Sequence, residues 1–219
     1  MWEPLVQRDG ARLRQGALAC ALAISAIAIG TGQQSVHAVG SSLPQLATSV
    51  PSDGTAQPLR AWVDFCHRVP TECEVQADEP EMIIMTDHVW RLLVEINRRV
   101  NAAIKPMTDQ EHWGVVDRWD LPDDGYGDCE DYQLLKRKLL AEHGLPRRAM
   151  RMTVVIGDDG GHAVLTVRTD RGDLILDNRN NAVLPWHETD YRFVKREGDA
   201  TGIWVSLGGV MSPIGTAAR

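Results

Sequence analysis

The sequence predicts an α+β domain in which helices come first and antiparallel strands follow. Three observations carry this reading. Apolar residues recur at helical spacing over 87–104 and again from residue 128; beyond Arg148 the period shortens to that of strands; and Gly or Asp residues bound each strand-like stretch, as turns between strands require.

The first helix places Val89, Leu92, Leu93, Ile96, Val100 and Ile104 on one face, with Arg91, Glu95, Arg98 and Arg99 mostly opposite. Thr86 or Asp87 can cap it, and Pro106 ends it. Thr108 and Glu111 have the Thr-x-x-Glu form of a capping box before His112 and Trp113. Turn-rich sequence then runs to Gly127. From Asp128 a second helix aligns Tyr132, Leu135 and Leu139, with Leu134 beside them, and stops at Gly144 and Pro146. Cys129 therefore falls in a first helical turn. Strands are expected at 150–156, 162–168 and 173–178, the last two joined by a hairpin turn at 169–172. Stretches 191–195 and 203–207 complete the sheet.

The chain has 219 residues, room for one domain and not two. Residues 1–38 read as a secretory signal: Arg8, Arg12 and Arg14 precede an apolar run over 17–29, followed by Val36-His37-Ala38 as the cleavage site. The run is shorter than the roughly 20 residues of a spanning helix, and no later segment spans a bilayer. Retention of this uncleaved segment is the only expected membrane attachment. Cys20 lies inside the run rather than at its end, which argues against lipid modification. Residues 39–58, rich in Ser, Gly, Pro, Gln and Thr, read as a flexible leader; 59–207 form the domain, and 208–219 a C-terminal tail. Removing 1–38 takes away three Arg against Glu3 and Asp9, so the net charge moves from −7 to −8. An acidic surface argues against nucleic acid and anionic membranes as partners.

Three cysteines remain after cleavage. In an oxidising compartment Cys66 and Cys73 read as a disulfide; a metal site of Cys66, His67 and Cys73 would lack a fourth ligand. Cys129 is left over, and an odd cysteine in a secreted chain points to a reactive or intermolecular thiol. A helix N-terminus and a neighbouring imidazole both activate thiols. His162, after Gly160-Gly161 at a strand start, can supply the imidazole, and Asp177 on the next strand can orient it through Nδ1. In a hairpin with an even-numbered loop, residues an odd distance apart share a face, as 162 and 177 would. Each residue alone has a structural reading: a small buried thiol, a core or surface histidine, a turn aspartate.

Together, 126–132 (Tyr-Gly-Asp-Cys-Glu-Asp-Tyr), 161–166 (Gly-His-Ala-Val-Leu-Thr) and Leu176-Asp177-Asn178 resemble the bacterial transglutaminase-like cysteine proteinases, the family that includes the LapG-type periplasmic proteases. The similarity extends to 65–73, 183–186 and 191–196, and so covers residues 60–205. It implies a papain-like, transglutaminase-like core, a catalytic triad of Cys129, His162 and Asp177, and a periplasmic enzyme. It also implies a protein substrate at the cell surface, such as a large adhesin, and, as in some members, a membrane-bound regulatory receptor. The same triad serves acyl transfer to amines, and an idle binding module is the rival from outside enzymology, against which the intact triad argues.

Asp128, Glu130 and Asp131 crowd carboxylates around a thiol that must become an anion, which raises its pKa unless they are neutralised. The helix N-terminus alone can do this. The alternative, favoured by the resemblance, is bound calcium on Asp128, Glu130 and Asp131, with Asp117, Asp120 or Asp123 upstream. The string 157–161 is Gly-rich without the Lys and helix of a phosphate loop, and is expected to let backbone approach the site beside His162. Trp113, Trp119 and Trp186 are expected to pack rather than to line a cleft.

Overall fold

The computed structural model describes residues 42–211; the expected signal segment and most of the expected tail lie outside them. In chain order the elements are β1 (Thr55–Ala56), α1 (Arg60–Arg68), α2 (Asp87–Ala103), β2 (Lys105–Pro106), α3 (Asp109–His112), β3 (Tyr126–Gly127) and α4 (Cys129–Glu142). Then follow β4 (Met150–Gly157), β5 (Gly160–Thr169), β6 (Gly172–Leu176), β7 (Leu184–Pro185), β8 (Arg192–Glu197) and β9 (Trp204–Met211). No helix among the described residues is long and apolar enough to cross a membrane.

The strands form one antiparallel sheet in the order β1-β9-β8-β4-β5-β6-β7, and β2 and β3 pair separately in parallel. This is the expected α+β class. One sheet face carries Met150, Met152, Leu165, Val167, Leu174 and Leu176 against Phe65 of α1, Leu93 and Ile96 of α2 and Leu134 and Leu140 of α4. Thr86 caps α2, accepting from the Val89 N–H, and Thr108 and Glu111 make the expected capping box on α3. The nine-residue α1 was not legible as a helix because it is too short to show a period, with Arg60, Asp64, His67 and Arg68 among its residues.

Residues 42–58 are not a flexible leader. Alternation along the strands leaves Val155, Val164, Ile175, Phe193 and Leu207 facing the other way, and this second apolar face needs cover. Val50 and Trp186 supply it, and the Trp186 indole donates to the Thr48 carbonyl at 2.8 Å. Polar anchors fix the segment's path: the Val50 N–H donates to Asp173 Oδ2 at 3.0 Å, the Ala47 N–H to the Arg171 carbonyl, and the Asp53 N–H to the Ser206 carbonyl. Gly172 permits the approach, since a Cβ there would lie 2.7 Å from the Ala47 carbonyl, and its φ of +98° favours glycine. The expected tail likewise begins inside β9, which continues to Met211.

Cys66 and Cys73 form the expected disulfide, joining the end of α1 to the turn after it. The two lie seven positions apart in sequence, and closing such a loop gives a cross-link worth about 2–3 kcal/mol. Reduction, or Cys73→Ser, is expected to lower urea-unfolding stability by that amount without unfolding the domain at room temperature. Deeper in, the Glu197 carboxylate accepts from Trp62 Nε1 (2.9 Å), Arg137 Nη1 (2.6 Å) and the Met152 N–H (2.8 Å), tying β8 to α1, α4 and β4. Each of its two oxygens accepts at least one hydrogen bond, as a buried carboxylate requires.

Lys136 of α4 has no such arrangement. It is fully buried, and its Nζ lacks a hydrogen-bond partner. Burial pulls the ammonium down from 10.5 to about 7, against a smaller upward effect of Asp177. Between those values the unfolded chain binds a proton that the folded chain does not, so stability falls as pH drops from 10.5 toward 7 and levels off below. Lys136→Met is expected to remove that slope and to stabilise the protein at pH 7 by roughly 2–5 kcal/mol. Urea unfolding at pH 7 and pH 10 checks this; a variant no more stable than the parent at pH 7 contradicts it.

Candidate active site

The sheet register sets the site. β5 pairs with β6 from Leu165↔Leu176 to Thr169↔Gly172, around a two-residue turn. Extended past Leu176, this register puts Asp177 opposite Val164, one diagonal from His162 and on the same face. The His162 Nε2 lies 2.8 Å from Asp177 Oδ1, and both side chains are buried. The carboxylate therefore fixes the ring proton on Nε2. This corrects the expectation that Asp177 would hold Nδ1: the imidazole is rotated so that Nε2 meets the carboxylate. Nδ1 is left without a hydrogen-bond partner, which makes it the nitrogen able to take a proton.

Cys129 is the first residue of α4, half-buried, and it is the free cysteine among the described residues. Its Sγ accepts from the Ala163 N–H at 3.4 Å, which places the thiol beside the residue following His162. It also donates to Glu130 Oε2 at 3.0 Å. Cys129 thus lies against the residue next to His162 in the chain, and His162 against Asp177. Burial first, and then the Glu130 carboxylate, push the thiol above its ordinary value.

Asp177 behaves oppositely. Burial works to raise its carboxyl, but hydrogen bonds from His162 and the Arg179 N–H, the His162 charge and the Tyr191 hydroxyl outweigh burial and hold it below the usual range. Tyr191 was read from the sequence only as part of a strand; it donates to Asp177 Oδ2 at 2.6 Å. On the open side of Cys129 lies a cleft of about 310 Å³, lined by Pro106, Met107, Thr108, Gly127, Asn178 and Arg179. The Gly-rich string turns tightly between β4 and β5, with Gly157 paired to Gly160, and leads directly into His162. Trp119 and Trp186 are buried as expected, whereas Trp113 is substantially exposed, stacked on His112 and under the Arg118 guanidinium.

Below the thiol the carboxylates gather. Oxygens of Asp109, Asp128 and Asp131 lie within 4.8 Å of one another, as do those of Asp109, Asp117 and Glu130, while Asp128 and Glu130 group with the Cys129 sulfur. Burial and mutual charge raise Asp109 to about 6 and Asp131 to about 8, and push Glu130 and Asp117 up as well. Asp128 Oδ1 is buried without a hydrogen-bond partner. Asp128, Glu130, Asp131 and Asp117 fall in these groups as expected. Asp120 does not, being paired with Arg118 at 3.0 Å, nor does Asp123. Asp109, next to the capping residue Thr108, is the member the sequence did not disclose. A hard oxygen set with an orphaned lone pair and unneutralised like charges fits a divalent cation such as calcium.

A first-turn cysteine against a histidine–aspartate pair on an antiparallel sheet has the layout of a thiol hydrolase. Residues 52–211 match the family model of the bacterial transglutaminase-like cysteine proteinases, and the chain belongs to that family and is a cysteine peptidase. Among solved structures it is similar to Legionella pneumophila LapG in its calcium-bound form, at 27% identity over 57% of this chain and 74% of that one, with a TM-score of 0.48. It is similar also to Legionella pneumophila LapG in a second structure (28% identity, 53% and 67% covered, TM-score 0.45) and in an EGTA-treated form (27%, 54% and 67%, 0.45). Among curated proteins no match is found.

Proposed function

We propose that this cysteine peptidase is a periplasmic endopeptidase working through Cys129, His162 and Asp177 on a cell-surface or secreted protein, such as a large adhesin. The observation that carries the reading is the His162–Asp177 contact at 2.8 Å, which leaves Nδ1 as the unpartnered base beside the residue that touches Cys129 Sγ. His162 Nδ1 takes the Cys129 proton, and the thiolate attacks a backbone carbonyl carbon to give a tetrahedral oxyanion. The free N–H groups at the α4 N-terminus, that of Cys129 first, are its donors. Collapse breaks the C–N bond as His162 returns the proton to the leaving amine, giving a thioester and the first product. Water then gives a proton to His162 and attacks the thioester, releasing the carboxylic acid and restoring the thiol.

A calcium ion on Asp109, Asp128, Glu130 and Asp131 would supply positive charge beside the carboxylates that hold the thiol up. The Arg-preceded apolar run over 17–29 and the Cys66–Cys73 disulfide both support export to an oxidising compartment. The substrate assignment rests on family resemblance, and a membrane-bound receptor as regulator is proposed on the same ground.

The test combines location with chemistry. Osmotic-shock fractionation is expected to release the mature chain with the periplasm. The purified chain is expected to cleave a protein in the surface fraction of cells carrying Cys129→Ala, and a dansylated amine in the mixture is expected to stay unincorporated. Cytosolic retention contradicts the location, and amine incorporation without cleavage replaces hydrolysis by acyl transfer.

A further inference from the structure

We infer that Tyr191 is a positioning residue for the proposed triad, holding the Asp177 carboxylate through its second oxygen. This rests on the reading of Cys129, His162 and Asp177 given above and adds a fourth side chain to it. The placement follows from sheet topology. β4 pairs with β5 on one side, Val155 opposite His162, and with β8 on the other, Val155 opposite Phe193 and Ile156 opposite Arg192. Tyr191, immediately before β8, is thereby delivered to the same sheet end as His162, across β4.

Gly157 at the end of β4 makes room for it. A Cβ at that position would stand 3.2 Å from Tyr191 Cε1, closer than side chains normally pack. With the space left open, the phenol ring lies 5.5 Å from the His162 ring, tilted by 47°, and its hydroxyl donates to Asp177 Oδ2 at 2.6 Å. The Asp177 carboxylate is then held at both oxygens: Oδ1 accepts the His162 Nε2–H at 2.8 Å and the Arg179 N–H at 3.0 Å, and Oδ2 accepts only the phenol among its hydrogen bonds to described residues. A carboxylate fixed at one oxygen can swing about its Cβ–Cγ bond. Fixed at both, it keeps Oδ1 aimed at the imidazole.

Tyr191 also stands at a boundary. With Asp177 it lines a cavity of about 300 Å³, among Asp158, Asp159, Arg179 and Glu188, while His162 is buried. Both partners of the histidine–aspartate hydrogen bond are buried, a low-dielectric setting in which that bond is stronger. Burial and the Asp177 charge push the phenol above its ordinary value, so the hydroxyl remains a donor across the working pH range.

The test uses the purified mature chain and its Tyr191→Phe variant, which keeps the ring and removes the hydroxyl. Acylation by p-nitrophenyl acetate reads catalysis without the natural substrate, and the downfield Nε2–H proton resonance of His162 reads the hydrogen bond to Asp177. Tyr191→Phe is expected to lower the maximal acylation rate about tenfold, to leave the half-saturating ester concentration unchanged, and to shift or broaden the His162 resonance. Gly157→Val, which crowds the ring while keeping all polar partners, is expected to move both readouts in the same direction, and it decides the matter if Tyr191→Phe does not fold. Wild-type acylation with an unshifted resonance in the folded variant overturns the inference. Asp177→Ala separates this from failure of the triad itself: if Asp177→Ala acylates at the wild-type rate, the triad reading falls. If it is inactive while Tyr191→Phe is unaffected, only the role of Tyr191 falls.

Discussion

Cys129→Ala is expected to reduce cleavage of the protein substrate by roughly 10³-fold or more while leaving the fold intact. The size follows from the mechanism. Without the sulfur there is no thioester, and residual activity is limited to what the oxyanion donors and binding supply. The stability change is expected to be small, within about 1 kcal/mol, because the thiol is half-buried and its two contacts, the Ala163 N–H and Glu130 Oε2, are at a cleft rather than in the core. His162→Ala is expected to be comparably inactive for a different reason, since it removes the base and not the nucleophile. Its Cys129 would still react with iodoacetamide, but slowly, whereas Cys129→Ala would not react at that position at all. Cleavage kinetics with unfolding curves for both variants check the pair; full activity in either contradicts the mechanism.

The second large effect concerns the carboxylates under the thiol. Burial first, and then the neighbouring negative charges, push Glu130, Asp131 and Cys129 up. Calcium binding there should bring two linked changes. Stability rises by an amount set by occupancy, about 2.7 kcal/mol when free calcium is a hundredfold above the dissociation constant. The thiol falls toward its ordinary range, so iodoacetamide alkylates Cys129 faster at neutral pH. A chelator reverses both. The sign can be checked independently with Glu130→Gln, which removes a charge that holds the thiol up: without calcium its alkylation is expected to be faster than wild type, and its response to calcium weaker. Melting and alkylation indifferent to calcium and chelator would exclude the cation and leave the helix N-terminus as the only compensation for these charges.

Much of this was legible from the chain itself, for reasons that differ by residue. The α2 and α4 helices and the long strands announce themselves through period, and the odd separation of His162 from Asp177 placed them on one face without knowledge of the register. The bulge in the β4–β8 pairing at Val154 and Val155 does not disturb that inference, because it lies in a different strand pair. What stayed hidden depends on contacts distant in sequence or on torsions that sequence does not encode. Val50 donates to a side chain 123 residues away, so a stretch with loop composition became a lid on the second sheet face. Which imidazole nitrogen meets Asp177 is a matter of ring rotation. Asp109 joins the acidic cluster, and Tyr191 reaches Asp177, only once separate elements are folded together.

The central claim, proteolysis by Cys129, is tested most directly by comparing protein N-termini in the periplasm and at the surface of wild-type cells with those of cells carrying Cys129→Ala. New N-termini that appear only with Cys129 present, and return when the wild-type chain is restored, are the expected result and identify substrate and cut site together. Identical profiles in the two strains, with both chains present at equal level in the periplasm, contradict it.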